Sequence, residues 1–340
     1  MHVRVPATSA NLGPGFDALA LALSLYDDLE VRVTDSGLRI EIEGEGADLA
    51  DAGEDHLVVR ALRAGFKAYA GAQPPGLALC CVNRIPHGRG LGSSAAAIVA
   101  GLLAAQALSG QPAAAQALSG REPVPSDLLA LATRLEGHPD NVAACLAGGL
   151  TIAWTTSQGP RLARLDPLQQ VRPVLCIAPS DIAVLTEVAR KALPETVPHH
   201  EAAANAGRAA LLVAALTREE AVTQLFDATE DWLHQAYRAE AMPETYALVT
   251  ALREDGVPAV VSGAGPSVLA LPTTKPGLDR LDSIVRKTGK AWRISPLDVA
   301  RQGAQVLHPN PGGPSGTPLP RDTDDREGLP RDTDHCEGMP

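Results

Sequence analysis

Aromatic residues and lysines are scarce in this chain of 340 residues. Phe, Trp and Tyr together make up 3% of the residues, so the core has to be built from aliphatic side chains. There are five lysines, and the formal net charge is −11, with a sequence pI of about 5.3. This charge argues against nucleic acid or an anionic membrane surface as the main partner. An anionic substrate would need local positive groups or a metal ion.

Long apolar runs and metal-binding cysteine patterns are also missing. The sequence contains no run of about 18 apolar residues, and its start, MHVRVPATSAN, has no signal-peptide pattern. The five cysteines have no metal-ligand spacing. Four lie in apolar segments and are expected to be buried free thiols in a reducing cytosol: Cys80, Cys81, Cys145 and Cys176. We therefore expect a cytoplasmic globular enzyme, which fits the 45% hydrophobic and 20% charged residues.

The stretch PHGRGLGSSAAA, residues 86–97, has the clearest chemical meaning. Its three glycines let the backbone turn tightly and approach a ligand closely, since no Cβ is in the way. Ser93 or Ser94 suits the N-cap of an alanine-rich helix over 93–108. The free N–H groups and the positive dipole end of such a helix favour an anion. After the apolar strand 77–82, this pattern predicts a phosphate-binding loop, although a tight turn without a ligand gives the same residues.

Residues 6–15 form a second loop, because two prolines and two glycines in this segment oppose a helix. Asn11 and Asp17 are short polar residues between apolar neighbours in and after it. Both are candidates for contact with a substrate. The alternatives are a turn residue for Asn11 and a helix cap for Asp17.

Periodicity and turn residues predict the remaining elements. Expected strands are 2–5, 149–155, 173–178 and 290–295, a hairpin of 29–34 with 38–43, and a strand–turn–strand unit over 259–271. Expected helices are 56–70, 93–108, 126–136, 141–147, 186–194, 199–216, 218–226, 231–245 and 277–287.

The last residues differ in composition from the rest of the chain. A decapeptide rich in charged residues occurs twice in tandem, at 319–328 and 329–338, after a segment rich in Pro and Gly. Such a segment cannot bury enough apolar surface to offset its ordering entropy. We expect residues 306–340 to be a disordered, low-complexity acidic tail.

Four stretches together resemble the GHMP small-molecule kinases, the superfamily of galactokinase, homoserine kinase, mevalonate kinase and phosphomevalonate kinase. PHGRGLGSSAAA is similar to the phosphate motif of this superfamily, and SGAGPS at 262–267 is similar to its C-terminal glycine motif. VPATSANLGPGFD at 5–17 and EGHPDNVA at 136–143 resemble the homoserine kinase branch. The resemblance spans roughly residues 2–300.

The resemblance implies a two-lobed α+β fold. Residues 1–155 would be the ATP-binding lobe, similar to domain 2 of ribosomal protein S5 and containing a left-handed β-α-β unit, an exception to the usual right-handed crossover. Residues 156–305 would be an α/β C-terminal lobe, followed by the tail. The nucleotide would lie between the lobes.

The implied reaction is the phosphorylation of the L-homoserine hydroxyl by ATP, with Mg²⁺ as cofactor, in threonine biosynthesis. Ser94 and Glu136 match the metal ligands of the family. A hydroxyl and a carboxylate suit Mg²⁺, which also keeps water and phosphate oxygens as ligands. The implied nucleotide-binding residues are Pro86, His87, Gly88, Arg89, Gly90, Leu91, Gly92, Ser93, Ser94, Ala95 and Ala96.

The substrate would be an amino acid with a terminal hydroxyl group. Arg190 and Arg238 match the two arginines that bind its carboxylate, for which a bidentate guanidinium is well suited, although each could instead lie on a solvated helix face. Asp140 matches the residue beside the reacting hydroxyl; whether it removes the proton or orients the hydroxyl stays open. The full implied set is catalytic Asp140, Asn141 and Thr186, with substrate-binding Asn11, Asp17, His138, Arg190, Arg238 and Gly263.

Two departures from the family pattern stand out. His56 occupies the place where Asn is expected at the adenine side, and Ala144 replaces a usual Pro. The alternatives are a kinase of the same superfamily that acts on another alcohol, and a silent relative that binds nucleotide and regulates another process. Intact Ser94, Glu136 and Asp140 argue against the silent relative. The family implies a homodimer and no nucleic-acid or membrane partner.

Overall fold

The structure is a computed structural model that describes residues 1–110, 124–179, 182, 186–272 and 275–307. Apart from residues 306 and 307, the predicted tail lies outside the described residues. None of the helices in the described ranges combines the length and the apolar character that crossing a membrane requires.

Strands and helices alternate along the chain in an α+β order. In the described residues the strands are β1 (His2–Ala10), β2 (Leu19–Thr34), β3 (Gly37–Gly44), β4 (Gly76–Asn83), β5 (Leu150–Thr156), β6 (Gly159–Leu165), β7 (Val174–Ile177), β8 (Ala259–Val261), β9 (Val268–Ala270), β10 (Arg293–Pro296) and β11 (Gln305–Leu307). The helices are α1 (Leu57–Tyr69), α2 (Ser93–Leu108), α3 (Ser126–Glu136), α4 (Asp140–Ala147), α5 (Thr186–Lys191), α6 (His199–Thr217), α7 (Leu225–Ala228), α8 (Pro243–Glu254) and α9 (Lys275–Lys287).

The strands form two sheets. The larger sheet has the order β11-β1-β2-β4-β3, with β5 paired to β2 and β6 paired to β5. The smaller sheet has the order β10-β7-β9-β8. β3 and β4 pair in parallel with α1 between them in sequence, which forms a β-α-β unit in the N-terminal half. The left-handed crossover stays a prediction. The mixed α+β fold with two sheets agrees with the prediction.

The predicted hairpin of 29–34 with 38–43 is wrong. Both segments are strands, but β2 and β3 pair on opposite sides of β4 rather than with each other. The first six residues of β4, Gly76–Cys81, are all buried, as a central strand requires. Alternating polarity identified the two strands, but their partner β4 lies about 40 to 50 residues further along the chain, and local pattern does not reveal it.

The predicted helix over 231–245 is also wrong. Residues 231–238 form turns, and a new helix, α8, begins at Pro243. Proline suits the first position of a helix because its missing N–H would be unpaired there in any case. The carboxylate of Asp231 accepts hydrogen bonds from the N–H groups of Leu233, His234 and Gln235, which stabilises the turns.

Two other segments differ from the expected ones. β1 continues to Ala10, so the predicted loop at 6–15 starts later than expected. The predicted helix at 218–226 is a 3₁₀ turn followed by the four-residue helix α7.

The core is aliphatic, as the composition predicts. Most of α2 is buried, and it packs against α1 where Gly101 faces Ala61: a Cβ on Gly101 would lie 2.7 Å from the Ala61 Cβ. This close approach fixes the helix whose N-terminus carries the glycine-rich loop. Cys81, Cys145 and Cys176 are buried free thiols as expected, whereas Cys80 is disulfide-bonded, contrary to the prediction.

The first sheet extends beyond the predicted first lobe. β6 and β11 both follow residue 155, yet both belong to the larger sheet. The chain therefore returns to its first sheet near residue 305 after building the second one. The limits of the two lobes at 1–155 and 156–305 stay a prediction.

Candidate active site

The glycine-rich loop connects β4 to α2 and leaves the first turn of α2 open. Gly92 is the N-cap of α2 with a φ of 68°, and within the described residues no side chain caps the helix. The prediction that Ser93 or Ser94 supplies the cap is therefore wrong, since both are already helical. A positive φ favours glycine over serine at the cap. The uncapped N–H groups and the helix dipole favour an anion here.

Two of the loop glycines are required by close contacts. A Cβ on Gly92 would lie 2.0 Å from Oγ1 of Thr8 on β1, and one on Gly90 would lie 2.1 Å from the carbonyl oxygen of Ser262. Ser262 Oγ also donates a hydrogen bond to the Gly90 carbonyl at 2.7 Å. Thr8 N–H donates to the Leu91 carbonyl at 3.0 Å. The loop is thus held between β1 and the turn that joins β8 to β9.

A cavity of about 250 Å³ in front of this loop collects most of the predicted site residues. Those that line it are Asn11, Asp17, Gly88, Gly90, Leu91, Gly92, Ser93, Ser94, Glu136, His138, Asp140, Asn141, Arg190, Arg238 and Gly263. His87 and Ala96 line a neighbouring cavity of about 350 Å³ instead, and Ser93 and Ser94 line both. Pro86, Arg89 and Ala95 line neither of these two cavities.

Two polar residues that line the neighbouring cavity, His56 and Asp27, have unfavourable buried environments. His56 lines it, and its buried Nδ1 has no hydrogen-bond partner among the described residues. Asp27 also lines it, and burial raises the pKa of its carboxyl to about 6. A cavity beside an open helix N-terminus has room for the organic part of a phosphate-bearing ligand.

Ser94 and Glu136 form a hydroxyl–carboxylate pair beside the helix N-terminus. Ser94 Oγ donates a hydrogen bond to Glu136 Oε1 at 2.7 Å. Burial raises the pKa of Glu136, so the carboxylate is one that a nearby cation would stabilise. Among the described residues there is no cluster of three or more His, Cys, Asp and Glu that could hold a metal alone. The pair fits Mg²⁺, which takes few protein ligands together with phosphates and water.

Asp140 begins α4 and is almost fully buried, with 2% of its surface exposed. Its Oδ1 accepts the N–H of Asn141 at 2.8 Å and lies 3.0 Å from His138 Nδ1. The hydrogen bond with Asp140 raises the pKa of His138. Asn141 Oδ1 in turn accepts from Thr8 Oγ1 at 2.8 Å. These contacts fix the orientation of the carboxylate and leave its Oδ2 for a ligand.

Asp17 and Arg190, which both line the cavity, form a bidentate ion pair. The two guanidinium nitrogens Nη1 and Nη2 donate to the carboxylate oxygens at 3.0 and 2.7 Å. Asp17 has a φ of 54°, so it lies in a turn and does not cap a helix. The Arg190 guanidinium also lies 5.7 Å from the ring centroid of Phe16. Arg190 comes from α5 and Asp17 from the first loop, so the pair joins distant parts of the chain.

Arg238 is buried, with 1% of its surface exposed, although it lines the cavity. Burial, with a smaller contribution from Arg190, lowers the pKa of its guanidinium to about 10. Its Nε donates to the Ala189 carbonyl at 3.0 Å. A buried cation of this kind favours an anionic group of a ligand. The alternative of a solvated helix face is therefore excluded for Arg238.

Asn11 has a φ of 68°, and both ends of its amide contact the backbone. Its Nδ2 donates to the Gly263 carbonyl at 2.8 Å and its Oδ1 accepts the N–H of Asp17 at 2.9 Å. Gly263 N–H donates to the Ala10 carbonyl at 3.1 Å. Asn11 and Gly263 therefore join the first loop to the β8–β9 turn and shape the cavity wall.

Three residues of the site were not predicted from the sequence, and the side chain of one predicted residue cannot be placed. Thr8, Phe16 and His234 contact predicted site residues, but they were not among the predicted candidates. They lie within or beside the motif stretches, so position in the motifs is the one signal that could have indicated them. Thr186 is the first residue of α5, and its side chain lies outside the described part of the chain.

Two family models match parts of this chain. Residues 56–149 match the family described as GHMP kinases N terminal domain, and residues 201–291 match GHMP kinases C terminal. The first range contains α1, β4, α2, α3 and α4. The second contains most of α6, together with α7, α8, β8, β9 and α9.

Individual relatives match over most of the chain. The homoserine kinase of Streptomyces avermitilis is 54% identical over 308 residues, which are 90% of this chain and 95% of that protein. The homoserine kinase of Clavibacter michiganensis is 49% identical over 311 residues, or 90% and 93%. A crystal structure of homoserine kinase from Cytophaga hutchinsonii is similar with a TM-score of 0.74 and 27% identity, and covers 90% of this chain and 97% of that one. The predicted resemblance is confirmed: the chain belongs to the GHMP kinase family and, within it, to the homoserine kinases.

Proposed function

We propose that the protein transfers the γ-phosphoryl group of ATP to the side-chain hydroxyl of L-homoserine, which gives O-phospho-L-homoserine and ADP. The reaction is a step in threonine biosynthesis. The observation that carries this proposal is the 250 Å³ cavity, where the open N-terminus of α2, Asp140 and two arginines meet. The relatives that span most of the chain are named homoserine kinases, which supports the same reaction.

The glycine-rich loop would bind the β- and γ-phosphates of ATP. The first-turn N–H groups after Gly92 have no side-chain cap among the described residues, so they are available as donors. The nucleoside would lie in the neighbouring 350 Å³ cavity with His56 and Asp27. Because the glycine-rich loop contains no lysine, these backbone donors and the helix dipole would contribute positive potential on this side of the site.

The charged side chains of the cavity would recognise the zwitterionic end of the amino acid. Arg238 is a buried cation that faces the cavity and would bind the carboxylate, together with Arg190. The carboxylate of Asp17 would accept the ammonium group. Because Arg190 and Asp17 already pair with each other, the substrate's opposite charges would complete or replace that pair.

Asp140 would position the reacting hydroxyl. Its Oδ1 is engaged by His138 and Asn141, so Oδ2 is the oxygen that accepts the hydroxyl proton in a hydrogen bond. The substrate oxygen forms a bond to the γ-phosphorus as the bond to the β-phosphate oxygen breaks, and the hydroxyl proton is released. Positioning and charge stabilisation account for most catalysis in phosphoryl transfer, so a strong base is not required.

Ser94 and Glu136 would hold Mg²⁺ beside the phosphates. When bound, the ion neutralises phosphate charge. We expect Glu136→Gln to raise the Mg²⁺ concentration needed for half-maximal activity by about tenfold or more, because it removes a charged ligand. The melting temperature should change little, since burial disfavours the Glu136 charge in the free protein. An unchanged Mg²⁺ requirement would remove Glu136 from the metal site.

The test of the proposed reaction is a coupled ADP-release assay with Mg-ATP and L-homoserine, mevalonate, galactose or L-threonine. Turnover with L-homoserine alone is the expected result. Turnover with another alcohol would keep the phosphate site and reject the substrate site. Binding of Mg-ATP without turnover of any alcohol would favour the silent relative.

We further propose a cytoplasmic homodimer, as the family resemblance implies. The free buried thiols Cys81, Cys145 and Cys176 fit a reducing compartment, whereas the disulfide-bonded Cys80 does not support this part of the proposal. Cell fractionation and light scattering of the purified protein test the two parts separately. A membrane-bound fraction, or a mass near the 35.3 kDa of one chain, would contradict them.

A further inference from the structure

His234 connects the buried arginine of the site to the first loop. It is fully buried at 0% exposure, and its Nε2 lies 2.9 Å from the Gly13 carbonyl oxygen. Its Nδ1 lies 3.1 Å from Nη1 of Arg238. His234 therefore bridges the loop that carries Asn11 and Asp17 to the guanidinium that faces the cavity.

The two partners determine the protonation of the imidazole ring. A carbonyl oxygen can only accept a hydrogen bond, so Nε2 must carry a proton. A guanidinium can only donate, so Nδ1 must be unprotonated. Only the neutral Nε2–H tautomer satisfies both contacts. Burial lowers the pKa of His234, which agrees with a neutral ring.

Other groups surround the ring and the guanidinium, and of these the carboxylate of Asp231 acts against the effect of burial on the pKa of His234. Asp231 Oδ1 lies 3.7 Å from His234 Nε2, and the ring of Phe16 lies 5.1 Å from the imidazole. The Arg238 guanidinium also lies 5.2 Å from the Phe16 ring centroid. Arg238 is thus held by the Ala189 carbonyl, the imidazole and an aromatic face.

The Arg238 guanidinium has two hydrogen bonds, from Nε to the Ala189 carbonyl and from Nη1 to His234 Nδ1. The second of these determines its direction. An arginine side chain loses considerable conformational entropy when it is fixed. If the guanidinium is already oriented before the ligand binds, this loss does not weaken binding. Burial, with a smaller contribution from Arg190, disfavours the charge of Arg238, so a hydrogen-bond acceptor at Nδ1 helps to stabilise the guanidinium. A protonated imidazole could not accept this bond and would repel the guanidinium.

We propose that His234 is a positioning residue that aims Arg238 at the substrate carboxylate and couples that aim to the first loop through Gly13. This inference rests on the proposed function, because it takes the carboxylate of the amino acid as the ligand of Arg238. His234 is fully buried and lines neither the 250 Å³ nor the 350 Å³ cavity. Its effect should therefore fall on the amino-acid substrate and not on ATP.

Two isosteric variants separate the two hydrogen bonds of the ring. The amide oxygen of His234→Asn occupies the place of Nδ1 and keeps an acceptor for Arg238. The amide of His234→Gln reaches the place of Nε2 and keeps the Gly13 contact, but offers Arg238 no acceptor at Nδ1. We expect His234→Gln to raise the homoserine KM about tenfold to a hundredfold, because a hydrogen bond to a charged group is lost, with the ATP KM unchanged. His234→Asn should restore most of the homoserine affinity.

The melting temperatures of the two variants separate positioning from packing. Each variant keeps one of the two hydrogen bonds, so similar melting temperatures with different homoserine KM values support positioning. KM values that simply follow the melting temperatures would overturn the proposal. In an Arg238→Leu background, His234→Gln should add no further effect on KM. An additive effect in that background would also overturn it.

A measurement on the protein without substrate distinguishes this proposal from the proposed function. Long-range ¹⁵N–¹H NMR of histidine-labelled protein at pH 7 should show the neutral Nε2–H tautomer at the signal that disappears in His234→Asn. An imidazolium or an Nδ1–H tautomer would overturn the positioning role, whatever the substrate. If the NMR spectrum shows the expected tautomer but the wild type does not turn over L-homoserine, the carboxylate is rejected as the ligand of Arg238. Both the proposed function and the positioning role would then be rejected.

Discussion

Asp27 and Asp28 are neighbours on β2 with opposite electrostatic environments. Asp28 accepts hydrogen bonds from the side chains of His2, Arg4 and Arg84, and these contacts together lower the pKa of its carboxyl against the opposing effect of burial. Within the part of the chain that the structure describes, Asp27 Oδ1 accepts hydrogen bonds only from backbone N–H groups, those of Arg84 and Ile85, and burial raises the pKa of Asp27 to about 6. One charge is therefore favourable in the folded protein and the other is not.

We expect Asp27→Asn to stabilise the protein at pH 7.5. The amide oxygen can still accept both backbone N–H groups, while the buried charge is removed. The pKa rises from 3.8 to about 6 on folding, so the charge costs up to about 3 kcal/mol above pH 6. As the pH falls from about 6 towards 4, the folded wild type binds a proton and recovers this stability. The gain in melting temperature of the variant should therefore shrink between pH 7.5 and pH 5.

Asp28→Asn is the matched control for that experiment. Its folded pKa is lowered, so its charge stabilises the protein above the pKa of the unfolded chain, and this contribution is lost in acid. Asp28→Asn should lower the melting temperature at pH 7.5. Equal and pH-independent shifts for the two variants would contradict the assignment of opposite environments.

We expect Arg238→Leu to raise the homoserine KM strongly and to leave the ATP KM near normal. The substitution removes the buried cation of the cavity. It leaves the glycine-rich loop and the open N-terminus of α2, which we propose as the phosphate site, unchanged. The control is Arg253→Leu, since Arg253 is also partly buried and lies 4.6 Å from an aromatic ring, that of Phe226, but does not line the cavity. Steady-state kinetics of both variants give the comparison. A homoserine KM that is unchanged by Arg238→Leu would reject Arg238 as a carboxylate ligand.

At the scale of elements, the glycine-rich loop and α2 were predicted best. The helix begins and ends at the predicted residues, 93 and 108, because alanine-rich sequence and a preceding glycine give a strong local signal. The turns at 231–238 were predicted least well. Their sequence has helical periodicity, but the carboxylate of Asp231 and the contacts of His234 and Arg238 with distant loops favour turns there.

In the candidate site, too, residues within motifs were predicted and contacts between distant segments were not. Ser94, Glu136 and Asp140 were predicted from the resemblance of their motifs to the family, and all three line the cavity. Their roles stay a prediction. The bridge from Gly13 through His234 to Arg238 spans more than two hundred residues in sequence, and no pattern within either segment predicts it.

We expect Gly90→Ala to lower the affinity for ATP and the melting temperature more than Gly88→Ala. Both glycines have positive φ, 70° and 64°, so both variants carry the same backbone strain. A Cβ at Gly90 would meet the Ser262 carbonyl at 2.1 Å, whereas nothing lies within 4 Å of a Cβ at Gly88. Thermal unfolding and ATP titration of the two variants measure the difference. Equal losses would show that strain alone, and not the contact with the β8–β9 turn, requires the glycine.

At the scale of the whole molecule, the first sheet contains strands from both ends of the described chain. β11 pairs with β1, and Ala304 N–H donates to the Cys145 carbonyl at 2.8 Å. A Cβ on Gly303 would collide with the Leu146 carbonyl oxygen, so this segment packs closely against α4. The residues just before the predicted tail are thus part of the core structure.

Two truncations test whether β11 belongs to the core structure and the predicted tail does not. A chain that ends at residue 308 keeps β11 and should retain its activity and its melting temperature, since the tail was predicted to be disordered. A chain that ends at residue 302 loses β11 and the contacts of Gly303 and Ala304, and should melt several degrees lower. Both should be measured in reductant, because Cys80 is disulfide-bonded. A large loss in the longer truncation would mean that the tail contributes to the fold.

The return of the chain to its first sheet has a consequence for biosynthesis. As the protein leaves the ribosome, β1 emerges first, but its β11 partner at Gln305–Leu307 emerges some three hundred residues later. During that interval the outer edge of β1 is an unpaired strand edge, which is a site for mispairing with other chains. The pairing that covers this edge can therefore form only after Leu307 has been synthesised.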